Sequence, residues 1–129
     1  MARHVHVLGI LISLWGGLAL LLGVSLVLLA GGAVAVLVGP QQGAVELAAG
    51  ITAGTFAVLG IFTLLWGAAH LWAGRLLRQK HASGRVLTLG LGIVNLLLLP
   101  FGTMLGIYAL WVLLTQEGRR LFTAPVGVQ

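Results

Sequence analysis

Residues 96–106 read LLLLPFGTMLG and sit inside a run, Val86 to Leu114, that holds no charged residue. One uninterrupted helix over that run would cross a membrane once, whereas two arms folded back at Pro100 and Gly102 would return the chain to the side it came from. The basic residues decide between these. They fall in three places: Arg3 at the start; Arg75, Arg78, Lys80 and Arg85 in the middle; and Arg119 with Arg120 near the end. Lys and Arg beside membrane segments collect on the cytoplasmic side, so an even number of crossings must separate each pair of clusters. A single span from 86 to 114 would put Arg85 and Arg119 in opposite compartments. The pattern therefore predicts a reversal at Pro100 to Gly102. Proline removes a helical donor and clashes with the turn before it, glycine permits the change of direction, and Thr103 can cap the helix that follows.

The rest of the chain supports a membrane setting. Of its 129 residues 60% are hydrophobic and 7% charged, against about 25% charged in soluble domains. Continuous Leu, Val and Ala runs, without apolar/polar alternation, exclude a β-barrel. The formal charge of +5 comes from residues that flank apolar runs and form no aromatic-studded basic face, which argues against nucleic acid as a partner. The absence of cysteine removes disulfide, thiolate and iron–sulfur chemistry.

Two further apolar segments, 5–38 and 46–78, are joined by the helix-breaking turn Gly39-Pro40-Gln41-Gln42-Gly43. Each would measure about 50 Å as a helix, longer than the bilayer core of about 30 Å, so tilt, a bend at Gly31-Gly32 or projection must absorb the excess. The arms on either side of Pro100, 84–99 and 103–117, hold only about 15 residues each, about 22 Å of helix. The expected fold is thus an all-α integral membrane protein. Four transmembrane helices form one domain over 1–129, as a long hairpin followed by a short one, with both termini cytoplasmic. The short hairpin's tip, Leu99-Pro100-Phe101-Gly102, should stay near the outer interface under cover of the longer hairpin, because bare backbone in lipid is costly. The small-residue triplet Ala33-Val34-Ala35 resembles a signal-peptide cleavage site, but the apolar stretch before it is about twice a normal signal core, so the first helix is expected to be retained.

Glycine is abundant and regularly placed. Gly9, Gly16, Gly23 and Ala30 recur every seven residues, as do Ala53, Gly60, Gly67 and Gly74. A seven-residue period keeps to one side of a gently supercoiled helix, so each long segment carries one smooth stripe. In lipid, helices associate through close backbone approach, and the two stripes are expected to pack on each other. Further small pairs, Ser13/Gly17, Gly50/Gly54 and Ala19/Gly23, the last sharing Gly23 with the stripe, could serve the second hairpin or another subunit. Gly102 and Gly106 form a GxxxG pattern, expected to pack within the chain in preference to a dimer.

Chemistry-bearing residues are few. Glu46 and Glu117 are the only acids and lie outside the spans, so paired-carboxylate catalysis and proton relay lack support. No enzymatic activity, metal or cofactor is expected. His4, His6 and His81 map near the cytoplasmic face. His70 lies within the membrane, bonded to a neighbouring carbonyl or to Asn95; a bis-His haem would need a second histidine facing it. Asn95, the sole asparagine, must satisfy its amide inside the bundle or across a subunit interface, the former being favoured. Trp66 and Trp72 flank His70, and Tyr108 and Trp111 lie on the fourth helix, where some act as interface anchors. Trp15 lies deeper and should pack. Arg75, Arg78, Lys80 and Arg85 either bind anionic lipid headgroups or only fix orientation. Residues 118–122 read as a helix end and an interfacial tail, with Arg119 and Arg120 among lipid phosphates.

Gly74 to Phe122 resembles a group of small, uncharacterised bacterial membrane proteins. The likeness rests on the basic turn Arg75 to Arg85, then Gly92-Ile93-Val94-Asn95-Leu96, Pro100-Phe101-Gly102-Thr103, and Gly106-Ile107-Tyr108-Ala109-Leu110-Trp111-Val112-Leu113-Leu114. It implies a four-segment protein of the bacterial inner membrane and supplies no activity. The expected function is a small polytopic scaffold or accessory subunit, associating with itself as a homo-oligomer or with a larger membrane complex. A homo-oligomeric channel or transporter is the alternative, disfavoured by the lack of polar helix faces. A haem or quinone electron-transfer subunit centred on His70 is weaker still.

Overall fold

The computed structural model describes residues 2–40, 43–97 and 101–123. Among these the chain is all-α and contains no strand. Five helices follow in order: α1 (Ala2–Val38), α2 (Ala44–Arg78), α3 (Ala82–Asn95), α4 (Phe101–Leu114) and α5 (Gln116–Thr123). The helices α1 and α2, of 37 and 35 residues, are long and apolar enough to cross a membrane; α3 and α4 have 14 residues each. The chain divides into two compact units, residues 16–68 and residues 1–15 with 69–129, and the division runs through α1 and α2.

In the unit 16–68, α1 and α2 run antiparallel along their glycines. A methyl group added at Gly67 would come 2.8 Å from the Gly16 carbonyl oxygen and 2.9 Å from the Leu20 nitrogen; one at Gly60 would come 2.8 Å from Val27 Cγ2 and 3.3 Å from the Gly23 carbonyl oxygen. Only hydrogen in place of Cβ lets the two backbones approach this closely, and close approach is what binds helices where lipid removes most of the hydrophobic drive. Ala30 and Ala53, which continue the two stripes, are both buried. Phe62 stacks on Trp66, ring centroids 6.3 Å apart.

In the other unit Gly74 lies against Gly9 and Ser13. The Ser13 hydroxyl donates to the Gly9 carbonyl at 2.8 Å, which removes its unsatisfied polarity from the contact. From here α2 ends in a Schellman motif: His81 N–H donates to Leu76 C=O at 3.1 Å and Lys80 N–H to Leu77 C=O at 3.0 Å. This closure needs a left-handed residue, and Lys80 supplies it at φ 56°. A side chain in that region costs about 1 kcal/mol relative to glycine. Lys80→Gly is therefore expected to raise stability by about 1 kcal/mol, read as a shift in the detergent-unfolding midpoint of the purified chain.

Helix α3 returns beside α2 because Gly84 lets its first turn lie on Leu76 and Leu77. It buries Gly84, Thr88, Leu91, Gly92 and Asn95 on one face. Its end departs from the sequence expectation of a helix to residue 99. The helix stops at Asn95, and Leu96 and Leu97 close it through tightened bonds to Gly92, Ile93 and Val94. The expected reversal at Pro100, like Leu99 and the Gln41-Gln42 part of the first turn, lies outside the described residues. Beyond it, Gly102 and Thr103 are not in a turn but in the first turn of α4, which begins at Phe101. The Thr103 hydroxyl donates to the Leu96 carbonyl at 3.0 Å, so it closes the end of α3, where the sequence had it capping the next helix. Gly106 packs against Gly92 and Leu96 within the chain.

The fourth helix also ends earlier than residue 117. It stops at Leu114, and α5, read from sequence as a tail, is a separate helix. Thr115 makes the break: its hydroxyl donates to the Val112 carbonyl at 3.0 Å and accepts the Gly118 N–H at 3.4 Å, an N-cap for α5. Gly118 lies so close to the Val112 carbonyl that any side chain there would collide with it. Phe122 is buried, whereas Arg119 and Arg120 are exposed.

Candidate functional site

The unit 1–15/69–129 contains two chemically distinct places, a buried polar core and a basic end. The core is built on α2 and α3. His70 is fully buried and Asn95 is 2% exposed. Asn95 Nδ2 lies 2.9 Å from His70 Nε2. An amide nitrogen has only protons to give, so Asn95 donates and the ring accepts, which requires a neutral imidazole protonated on Nδ1. Asn95 Oδ1 then has no partner among the described residues, and neither do Thr88 Oγ1 or Trp15 Nε1. Thr88 is buried two turns before Asn95 on the same face of α3. Of the two partners weighed from sequence for His70 the structure provides Asn95, inside the chain. Chemically the pair is a cross-link between helices. Among the described residues no three His, Cys, Asp or Glu side chains gather as a metal would require.

All seven Lys and Arg residues belong to this unit, and the packing brings them to one end of it. Gly9 against Gly74 sets Arg3 at the same end as Arg75 and Arg78, and the Cγ of Arg78 lies against Gly9. Arg78 Nε donates to the Gly74 carbonyl at 3.3 Å. Arg85, in the first turn of α3, donates from Nε to the Leu113 carbonyl at 3.2 Å, a cation on the negative end of α4. Arg119 and Arg120 follow on α5. Glu117 is the only acid there, since Glu46 lies in the first turn of α2 at the opposite end of that helix. Eight residues, about 12 Å of helix, separate His70 from Arg78.

The basic end carries a feature that the sequence did not disclose. His4, on α1, places Nδ1 3.2 Å from the Tyr108 hydroxyl and sets its ring edge-on to Trp111, centroids 5.9 Å apart. Tyr108 stacks on Trp111 at 6.2 Å. From sequence His4 maps near the cytoplasmic face and some of the aromatics act as interface anchors; His4 is exposed, and what the sequence does not show is its contact with Tyr108 and Trp111. Their meeting spans more than a hundred residues, and no local spacing signals it. His6, His81 and Trp72 are exposed. Trp15 and Trp66 are half-buried.

Of the predicted packing residues, Gly9, Gly16, Gly23, Ala30, Ala53, Gly60, Gly67, Gly74, Gly102 and Gly106 are all buried. Gly17, Gly31, Gly32, Gly50 and Gly54 are different: a methyl group at any of them would meet nothing described within 4 Å. No protein-family model matches this chain, and neither a curated protein nor a solved structure is found to resemble it.

Proposed function

We propose that this chain is a four-span scaffold or accessory subunit of the bacterial inner membrane, with both termini cytoplasmic, that works by helix association with a second copy or a larger membrane complex. The observation that carries the reading is the pair Gly50 and Gly54, one turn apart on α2 and open, while Gly60, Gly67 and Gly74 on the same helix are closed against α1. Small residues one turn apart on an apolar helix are what a second helix needs to come close. Exposed Ile51, Val58 and Leu47 surround them. The most apolar part of α1 is largely unburied within the chain, which leaves apolar surface for lipid or protein to cover. The gathering of every Lys and Arg at one end supports a single cytoplasmic face. The resemblance of residues 74–122 to four-segment bacterial membrane proteins points the same way.

Crosslinking and native mass measurement of the full chain in mild detergent test this. A dimer or larger species is expected, and Gly50→Leu with Gly54→Leu should lower its fraction at least tenfold without loss of helix content. A wild-type chain that stays monomeric and brings no membrane partner with it overturns the reading.

A further inference from the structure

We propose that the groove along α4 lined by Met104, Ile107, Tyr108 and Trp111 seats one acyl chain of an anionic phospholipid, with the headgroup at its His4 rim. The groove is shallow and open, with a volume of about 400 Å³. It is polarised along the helix. Met104 and Ile107 are apolar and exposed, and Tyr108 and Trp111 follow toward the C-terminal end of α4. That end is the basic one, because Arg85 Nε sits on the Leu113 carbonyl and Arg3 precedes His4 on α1. An apolar floor that ends in aromatic rings and then in cations has the order of a lipid: tail, interface, phosphate. The Tyr108–Trp111 stack and the edge-on His4 ring brace one another, so the rim is formed before anything binds and little ordering cost falls on the ligand.

Charge selects the occupant. Seven Lys and Arg residues against one acid favour an anion at this end, each near-surface cation contributing about 1 kcal/mol. A second copy docked here side by side would bring two such ends together, a like-charge juxtaposition that interfaces avoid. The site rests on the chain lying in a bilayer and is independent of its association with a partner.

The test uses the full chain, delipidated in mild detergent, offered phosphatidylglycerol or phosphatidylcholine of identical acyl chains and read by native mass spectrometry. One phosphatidylglycerol per chain should survive activation that strips phosphatidylcholine. Ile107→Trp, which fills the groove, should reduce that retention at least tenfold, and His4→Glu at least fivefold, while Phe62→Trp on the other unit leaves it unchanged. Circular dichroism confirms that each variant keeps its helices, and a variant that loses them is replaced by Met104→Phe. Equal retention of the two lipids, or retention indifferent to Ile107→Trp, overturns the site. Failure of the wild-type chain to float with liposomes would overturn the membrane reading itself, a separate result.

Discussion

Gly67→Leu is expected to destabilise the chain by about 3 kcal/mol or more, a change of over a hundredfold in the ratio of folded to unfolded chain, when unfolding is followed by titration with a denaturing detergent. The cause is steric and lies in rigid atoms. The first carbon of any side chain at this position would stand 2.8 Å from the Gly16 carbonyl oxygen and 2.9 Å from the Leu20 nitrogen. Neither can rotate away, so α1 and α2 must separate. Overpacking a well-filled interior costs about 1–3 kcal/mol even where flexible side chains can yield. Separation would also sacrifice the neighbouring contact at Gly60, because the helices are stiff. Gly17→Leu is the matched control. It changes the residue next to Gly16 on the partner helix, where a methyl group meets nothing described within 4 Å, and it should alter stability by no more than about 0.5 kcal/mol. Equal tolerance of both substitutions would refute the register in which Gly16 faces Gly67.

A double-mutant cycle on His70 and Asn95 should give a coupling energy of about 1–1.7 kcal/mol. His70→Leu strands the Asn95 amide, which already has one oxygen without a described partner, and Asn95→Leu strands the His70 Nε2. A buried polar group left without its partner costs about 1–3 kcal/mol. Replacing both by leucine removes the debt along with the bond, so the double variant should be more stable than the two single losses predict. Hydrogen bonds between membrane helices average about 0.6 kcal/mol, and the largest measured are near 1.7. The upper end is expected because both partners are almost completely enclosed. Additive single effects, within about 0.3 kcal/mol, would show that the two side chains are neighbours without being linked.

The elements differ in how far their signals travel. The small-residue stripes were legible because a seven-residue period is a property of one helix, and a short turn leaves each stripe little choice of partner. Asn95 announced itself by chemistry, as a lone amide in apolar sequence. Its partner did not, since His70 and Asn95 are brought together by the closure at Lys80 and the seat at Gly84, neither of which has a periodic signature. The break at Thr115 had a usable signal, a threonine followed by Gln116 and Glu117 and then a glycine at the third helical position, but the apolar run before it masked the boundary. Thr103 was assigned to the wrong helix end because a hydroxyl near a turn can serve either side, and only the approach of Leu96 decides which.

What the amino-acid sequence alone determined is whatever depends on composition and on spacing within one helix: an all-helical chain, two segments long enough to span a bilayer, a smooth face on each, and cations confined to a few places. Tertiary structure alone decided what depends on distant segments meeting. It set His70 on Asn95, Arg85 on the carbonyl end of α4, and His4 against Tyr108 and Trp111. The division follows from range: a helix writes its own period into the chain every few residues, whereas a contact across a hundred residues is chosen by the packing of everything between.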